Sequence, residues 1–208
     1  MGQPLRKPAT IFTYADYCRW PDDERWELIE GVAYAMAAPG LAHQTVVGEL
    51  FRQIANHLVD KPCRPFVAPF DVRLPRGNEA DDDVTTVVQP DITVVCDPAK
   101  LDERGCRGAP DWVIEVLSPS TAAKDQIQKL AAYERAGVCE VWLVHPTDHV
   151  VSVYTLNAAG GYGKPAIHET TGTLAPGLFP DLLIEWGLIF PNVVPPSSPL
   201  PASTKDSA

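Results

Sequence analysis

At 208 residues, with 45% apolar and 21% charged side chains, the chain has the size and composition of a globular domain with a full core. No apolar run approaches the ~20 residues that a membrane-spanning helix needs, so no membrane contact is expected. The formal charge of −10 at pH 7 runs against broad, nonspecific capture of nucleic acid by a basic face.

Residues 1–10 carry Arg6 and Lys7 without a following apolar stretch, which predicts no secretory signal and a cytoplasmic protein. The five cysteines are odd in number and include no CxxC pair, which argues against a disulfide framework and against a zinc knuckle. Cys96 and Cys139 lie in apolar surroundings and read as core.

Residues 1–10 read as a loose arm. Thr13, with Asp16 three residues on, predicts a short helix over 14–19. Residues 26–30 and 32–36 flank Gly31 and read as a hairpin. Over 43–58, Val47, Leu50, Phe51, Ile54 and Leu58 form one apolar stripe, the clearest helix signal in the chain. Residues 66–74 read as one strand, at an edge or bulged because of Pro69. The acidic run of Glu79 and Asp81 to Asp83 reads as a solvated loop.

Strands are expected over 84–88, 91–96 and 112–117, the last apolar enough to be buried on both faces. Ser118 and Pro119 suit a helix start and Gly137 suits its end. Strands over 141–144 and 150–154 complete a βαβ-like order. Residues 191–208, rich in Pro, Ser and Ala, read as a disordered tail, which leaves one domain over 11–190.

Glu115 sits inside the apolar run 112–117. A carboxylate there costs several kcal/mol unless it is paired or binds a metal. Asp91 opens the preceding strand directly after Pro90. If the two strands are neighbours, both carboxylates converge at one end of the sheet. With water and a phosphate oxygen they would form a hard-oxygen site suited to Mg²⁺ or Mn²⁺. The competing readings are a core pair between Glu115 and a lysine, and a turn cap for Asp91. His43 opens the long helix, where it could bond a carboxylate or a phosphate, act as a general base, or simply face solvent. There is no phosphate-binding Gly-rich loop and no nucleophile elbow.

The segments Gln89-Pro90-Asp91-Ile92, then Val113 through Thr121, then Asp125, Lys129, Tyr133 and 136–142 resemble the Uma-two family of restriction-endonuclease-like proteins in the PD-(D/E)XK superfamily. Residues 26–31 with His43 and Gln44 resemble its N-terminal motifs. The resemblance spans roughly 11–190. It implies an α/β fold of the mixed α+β kind, a mixed β-sheet flanked by helices. It further implies Asp91 and Glu115 as Mg²⁺ or Mn²⁺ ligands, DNA as substrate, and a homodimer. It also marks Glu27 as a third acidic group near the metal. In an extended segment Glu27 and Glu30 point to opposite faces, so one of them reaches the site.

The lysine expected two residues after Glu115 is replaced by Leu117. Asp125, Lys129 and Tyr133, spaced by four, share one helix face that could supply the missing cation. Lys124 is the weaker candidate for that cation, because it lies off that face. The competing reading of Lys129 is a surface pair with Asp125. The function implied is a metal-dependent endonuclease with Asp91, Glu115, Lys129, Glu27 and His43 in its site. The alternatives are an inactive nuclease-fold module acting through protein or metal binding, and a hydrolase of another phosphoester.

Overall fold

The structure, a computed structural model, describes residues 11–21, 23–118 and 124–191. The expected arm, the tail beyond 191 and the Pro119 helix start lie outside these residues.

The chain opens with a one-turn helix α1, Tyr14–Tyr17, in which the Asp16 carboxylate accepts from the Thr13 N–H at 3.0 Å. Strands β1, Trp26–Ile29, and β2, Val32–Ala35, form the expected hairpin. Its two turn residues, Glu30 and Gly31, both have positive φ, 55° and 75°, the geometry that matches the twist of the flanking strands. Helix α2, Leu41–His57, buries Val46, Val47, Leu50 and Ile54, the stripe legible in the sequence.

The expected strand over 66–74 is two strands. They are β3, Arg64–Val67, and β4, Val72–Arg73, and they join different sheets. Pro69, which has no N–H to give to a ladder, lies between them. Next come β5, Val87–Val88, β6, Ile92–Val95, β7, Leu101–Asp102, β8, Gly105–Arg107, and β9, Trp112–Val116. Residues 124–129 wind as a wide π-type turn that runs into helix α3, Leu130–Ala136. Gly137, at φ 88°, closes that helix as expected. Strands β10, Glu140–His145, β11, Val150–Thr155, β12, Ala166–Glu169, β13, Thr173–Leu174, and β14, Ile184–Glu185, lead to α4, Trp186–Ile189.

The fold is mixed α+β, as expected, but built on two large sheets. One six-stranded sheet has the order β2-β1-β5-β4-β8-β7, the other β12-β11-β10-β9-β6-β3. Within the second, β9 and β10 run parallel, joined by α3 as a βαβ unit, and β6 pairs antiparallel on the other side of β9. Trp112, Ile114 and Val116 pack beneath Leu50 and Ile54 of α2 and Trp186 of α4. On the opposite face Val113 packs with Tyr133 of α3 and with Val72 and Val88 of the first sheet. Both faces of β9 are therefore covered, which is why an almost wholly apolar strand is stable there.

Two sequence expectations are corrected. The acidic run is not merely a solvated loop. Asp81 bonds the fully buried Arg73, whose other nitrogen reaches both oxygens of Asp102 at 2.7 Å. Asp81 also accepts from Arg107 at 3.2 Å, so the run anchors a guanidinium that the core could not otherwise hold. Cys96, read as core, is joined in a disulfide to Cys63. Arg64 pairs with Val95, so Cys63 and Cys96 face each other one step further along the same two strands.

Candidate active site

The register of β6 and β9 sets the site. Ile92 pairs with Ile114, so one step beyond that pair Asp91 stands opposite Glu115. Directly opposed residues of antiparallel strands share a face, so both carboxylates emerge on one side at one end of the sheet. A cleft of about 530 Å³ opens there, and Glu27, His43, Asp91, Glu115, Lys124 and Lys129 all line it. The five residues singled out from the sequence are thus brought together, although they come from β1, α2, the approach to β6, β9 and the π-type turn.

Each side chain is held by named contacts. Asp91 accepts from the Val116 N–H at 2.7 Å, and His43 Nε2 lies 3.2 Å from the same carboxylate oxygen. The α2 start carries His43 to this point. Burial opposes the charged imidazole, but the bond to Asp91 and its charge outweigh that, so the His43 pKa is raised. Glu115 is buried in β9, where its Oε1 accepts from the Tyr133 hydroxyl at 2.5 Å and sits 2.5 Å from Lys129 Nζ.

Lys129 is no surface residue paired only with Asp125. It is buried, 2.9 Å from Glu27 and 3.7 Å from Asp125. The Asp125, Lys129 and Tyr133 face points inward, onto the sheet. Leu117, in the position of the missing lysine, is buried with Val113 and Tyr133.

Glu27 and Glu30 do point apart. Glu30 is exposed and bonds Arg76 and Arg135, whereas Glu27 is fully buried. Glu27 accepts from the Gln89 N–H at 2.9 Å and from Lys124 Nζ at 2.5 Å. Burial opposes its ionisation, but Lys129 and Lys124 prevail and hold its carboxyl well below the ordinary range. Its charged partners are therefore both cations, and it anchors two lysines. Burial pushes Glu115 the other way; Lys129 offsets this only in part, and the nearby Asp125, Asp91 and Glu27 add to the rise.

Sequence reading placed Lys124 behind Lys129 as the weaker candidate and gave Gln89 no role of its own. Lys124 falls off the face of an ideal α-helix and faces inward only because of the π-type winding. Gln89 holds Glu27 through its backbone and bridges Arg25 to Asp71 through its side chain, at 2.8 and 2.9 Å. Its place directly before Pro90 and Asp91 was its single visible signal.

The donor chemistry fits a hard divalent ion. Mg²⁺ commonly takes one or two carboxylates and fills its other positions with water and substrate phosphate, and Asp91 and Glu115 offer such a pair. The crowding of carboxylates that raises Glu115 is a charge that a cation would relieve. Among the described residues no group of three or more His, Cys, Asp or Glu side chains is placed to hold a metal ion by itself, so water and substrate would have to complete the shell of an ion at this pair.

The shifts have a consequence for the metal-free protein. Glu115, with a folded pKa of about 8, binds its proton more tightly folded than unfolded, and so does His43. Their stabilising contribution is present at low pH and is lost as pH rises, from about pH 5 to about pH 8. In EDTA the urea midpoint is expected to fall across this window, and Glu115→Gln is expected to flatten the fall. Equal slopes for the two proteins would contradict the assignment.

Comparison with known proteins agrees with this architecture. The family described as "Uma2: Putative restriction endonuclease" matches residues 14–186. The uncharacterized protein slr1290 of Synechocystis sp. is 27% identical over 150 residues, covering 71% of this chain and 75% of that protein. The crystal structure of "a putative nuclease belonging to DUF820 from Anabaena variabilis" superposes with a TM-score of 0.68 at 20% identity, covering 86% of this chain and 98% of that one. At that identity the likeness is one of fold. The match over most of its length, with the restriction-endonuclease-like fold, makes this chain a member of the Uma2 family.

Proposed function

We propose that the protein is a divalent-metal-dependent endonuclease that hydrolyses phosphodiester bonds in DNA. The observation that carries this reading is the opposition of Asp91 and Glu115 across β6 and β9, in a cleft that also holds a buried lysine. Asp91 and Glu115 would hold Mg²⁺ or Mn²⁺. When bound, such an ion polarises the phosphodiester and makes a water more acidic.

The rest falls to the chain itself. The Val116 N–H and His43 fix the rotamer of Asp91, and His43 keeps a proton available at Nε2 beside it. Lys129, positioned by Glu27, opposes the negative charge that develops on the phosphoryl oxygens. Tyr133 keeps Glu115 turned toward the lysine. Family membership supports nucleic acid as substrate.

Titration calorimetry with Mg²⁺ and Mn²⁺, followed by nicking of supercoiled plasmid, tests this on wild type and Asp91→Ala. Wild type is expected to bind the ion and nick, and EDTA to stop nicking. Asp91→Ala is expected to do neither while remaining folded. A wild type that binds no ion, even with DNA present, sinks the catalytic reading.

A second reading has support from Leu117 at the expected lysine position and from the net charge of −10. It is a non-catalytic module on a nuclease fold. Metal binding without nicking of any substrate would favour it.

A further inference from the structure

We propose that Lys124 is a second substrate-facing cation of this cleft, contacting a backbone phosphate of the nucleic acid beside the one that Lys129 serves. The inference rests on the nuclease reading above.

The argument begins with winding. In an α-helix, residues five apart point well away from each other, since a turn takes 3.6 residues. A π-type turn closes i to i+5 and brings residues five apart much nearer to one face. Residues 124–129 wind this way, and Lys124 and Lys129 meet the two oxygens of one carboxylate, Glu27, at 2.5 and 2.9 Å. Such turns are rare and concentrate at functional sites, because a plain α-helix would be the easier structure.

One buried carboxylate needs one cation to balance it. Glu27 has two, and their other bonds differ. Lys129 is shared with Glu115 and Asp125, whereas the ion pair of Lys124 among the described residues is with Glu27. Both ammonium groups border the cleft, and the Lys124 side chain is 8% exposed against 3% for Lys129. An ammonium carries three donors, and Glu27 takes one from Lys124. Ala35 to Gly40, which also line the cleft, have small side chains apart from Met36, so a strand can approach closely there. In a chain with a formal charge of −10, each cation inside the cleft weighs heavily in any phosphate contact.

The alternative role for Lys124 is a clamp that ties the turn to β1. Salt dependence separates the two. Binding of a fluorescein-labelled duplex oligonucleotide would be followed by anisotropy, with Ca²⁺ present to prevent cleavage, over a series of KCl concentrations. Lys124→Gln keeps a donor for Glu27 and so preserves the fold. It is expected to make the plot of log Kd against log salt shallower by about 0.9, the loss of one phosphate contact. Lys124→Arg is expected to restore the wild-type slope. An unchanged slope in Lys124→Gln, with wild type binding normally, overturns the proposal and makes Lys124 a clamp. A wild type that does not bind the oligonucleotide overturns the nuclease reading itself.

Discussion

Lys129→Met is expected to lower the unfolding free energy by about 3–5 kcal/mol, because it strips the shared cation from two buried carboxylates. Glu27 is fully buried and Glu115 nearly so, and Lys129 lies within 2.9 Å of both. Lys124 remains to balance Glu27, but no lysine among the described ion pairs would then remain for Glu115. The same variant is expected to lose at least about 10²–10³-fold in nicking rate, the usual cost of removing a preorganised stabiliser of transition-state charge. Chemical denaturation and plasmid nicking read the two effects separately. The double variant Lys129→Met with Glu115→Gln removes cation and anion together. It should regain most of the lost stability and none of the activity. A double variant as unstable as Lys129→Met would show that the lysine acts through packing and that the coupling to Glu115 is minor.

Glu115→Gln alone is expected to move stability and activity in opposite directions. In EDTA at pH 8 it should raise the melting temperature by roughly 2–4 °C, the equivalent of about 1 kcal/mol in a chain of this size. The reason is that burial penalises the charged carboxyl, and neutral glutamine still offers an oxygen to Tyr133. Nicking should fall below detection, because an amide is a poor ligand for a hard divalent ion. Differential scanning fluorimetry with and without Mg²⁺ adds a third readout: wild type should be stabilised by the ion and the variant should not. A Glu115→Gln protein that still nicks would remove Glu115 from the site and return it to the role of a structural partner for Lys129. The trade between stability and function that this variant probes is common where active-site charges are buried.

The acidic balance of the chain is not spread evenly over free carboxylates. Some of the acidic residues are already committed to ion pairs: Asp81 and Asp102 bond the buried Arg73, and Asp81 also holds Arg107. Those carboxylates stabilise the fold through a guanidinium, and neither lines the cleft.

Local pattern alone was enough for the elements whose signals are local. The period of α2, the hairpin about Gly31, the apolar β9 with its single carboxylate, and the Gly137 stop could each be read from a short window, because helix faces, turn geometry and strand burial follow the order of residues. The conspicuous cost of a carboxylate at 115 likewise pointed to a site before any geometry was known. Tertiary structure decided the rest. Strands as short as β4, β5, β7 and β8 have too few residues to show a period, and they exist through pairing with distant partners. The division of 66–74 between two sheets, the meeting of Cys63 with Cys96, and the anchoring of Arg73 by Asp81 and Asp102 depend on long-range register. The largest difference lies at the lysines: an α-helical reading of 124–133 leaves Lys124 off the face, whereas packing against Glu27 and Glu115 rewards a wider turn that brings both cations inward. Where several buried charges must satisfy one another, the winding of the backbone follows the electrostatics of its neighbours, and those neighbours are distant in sequence.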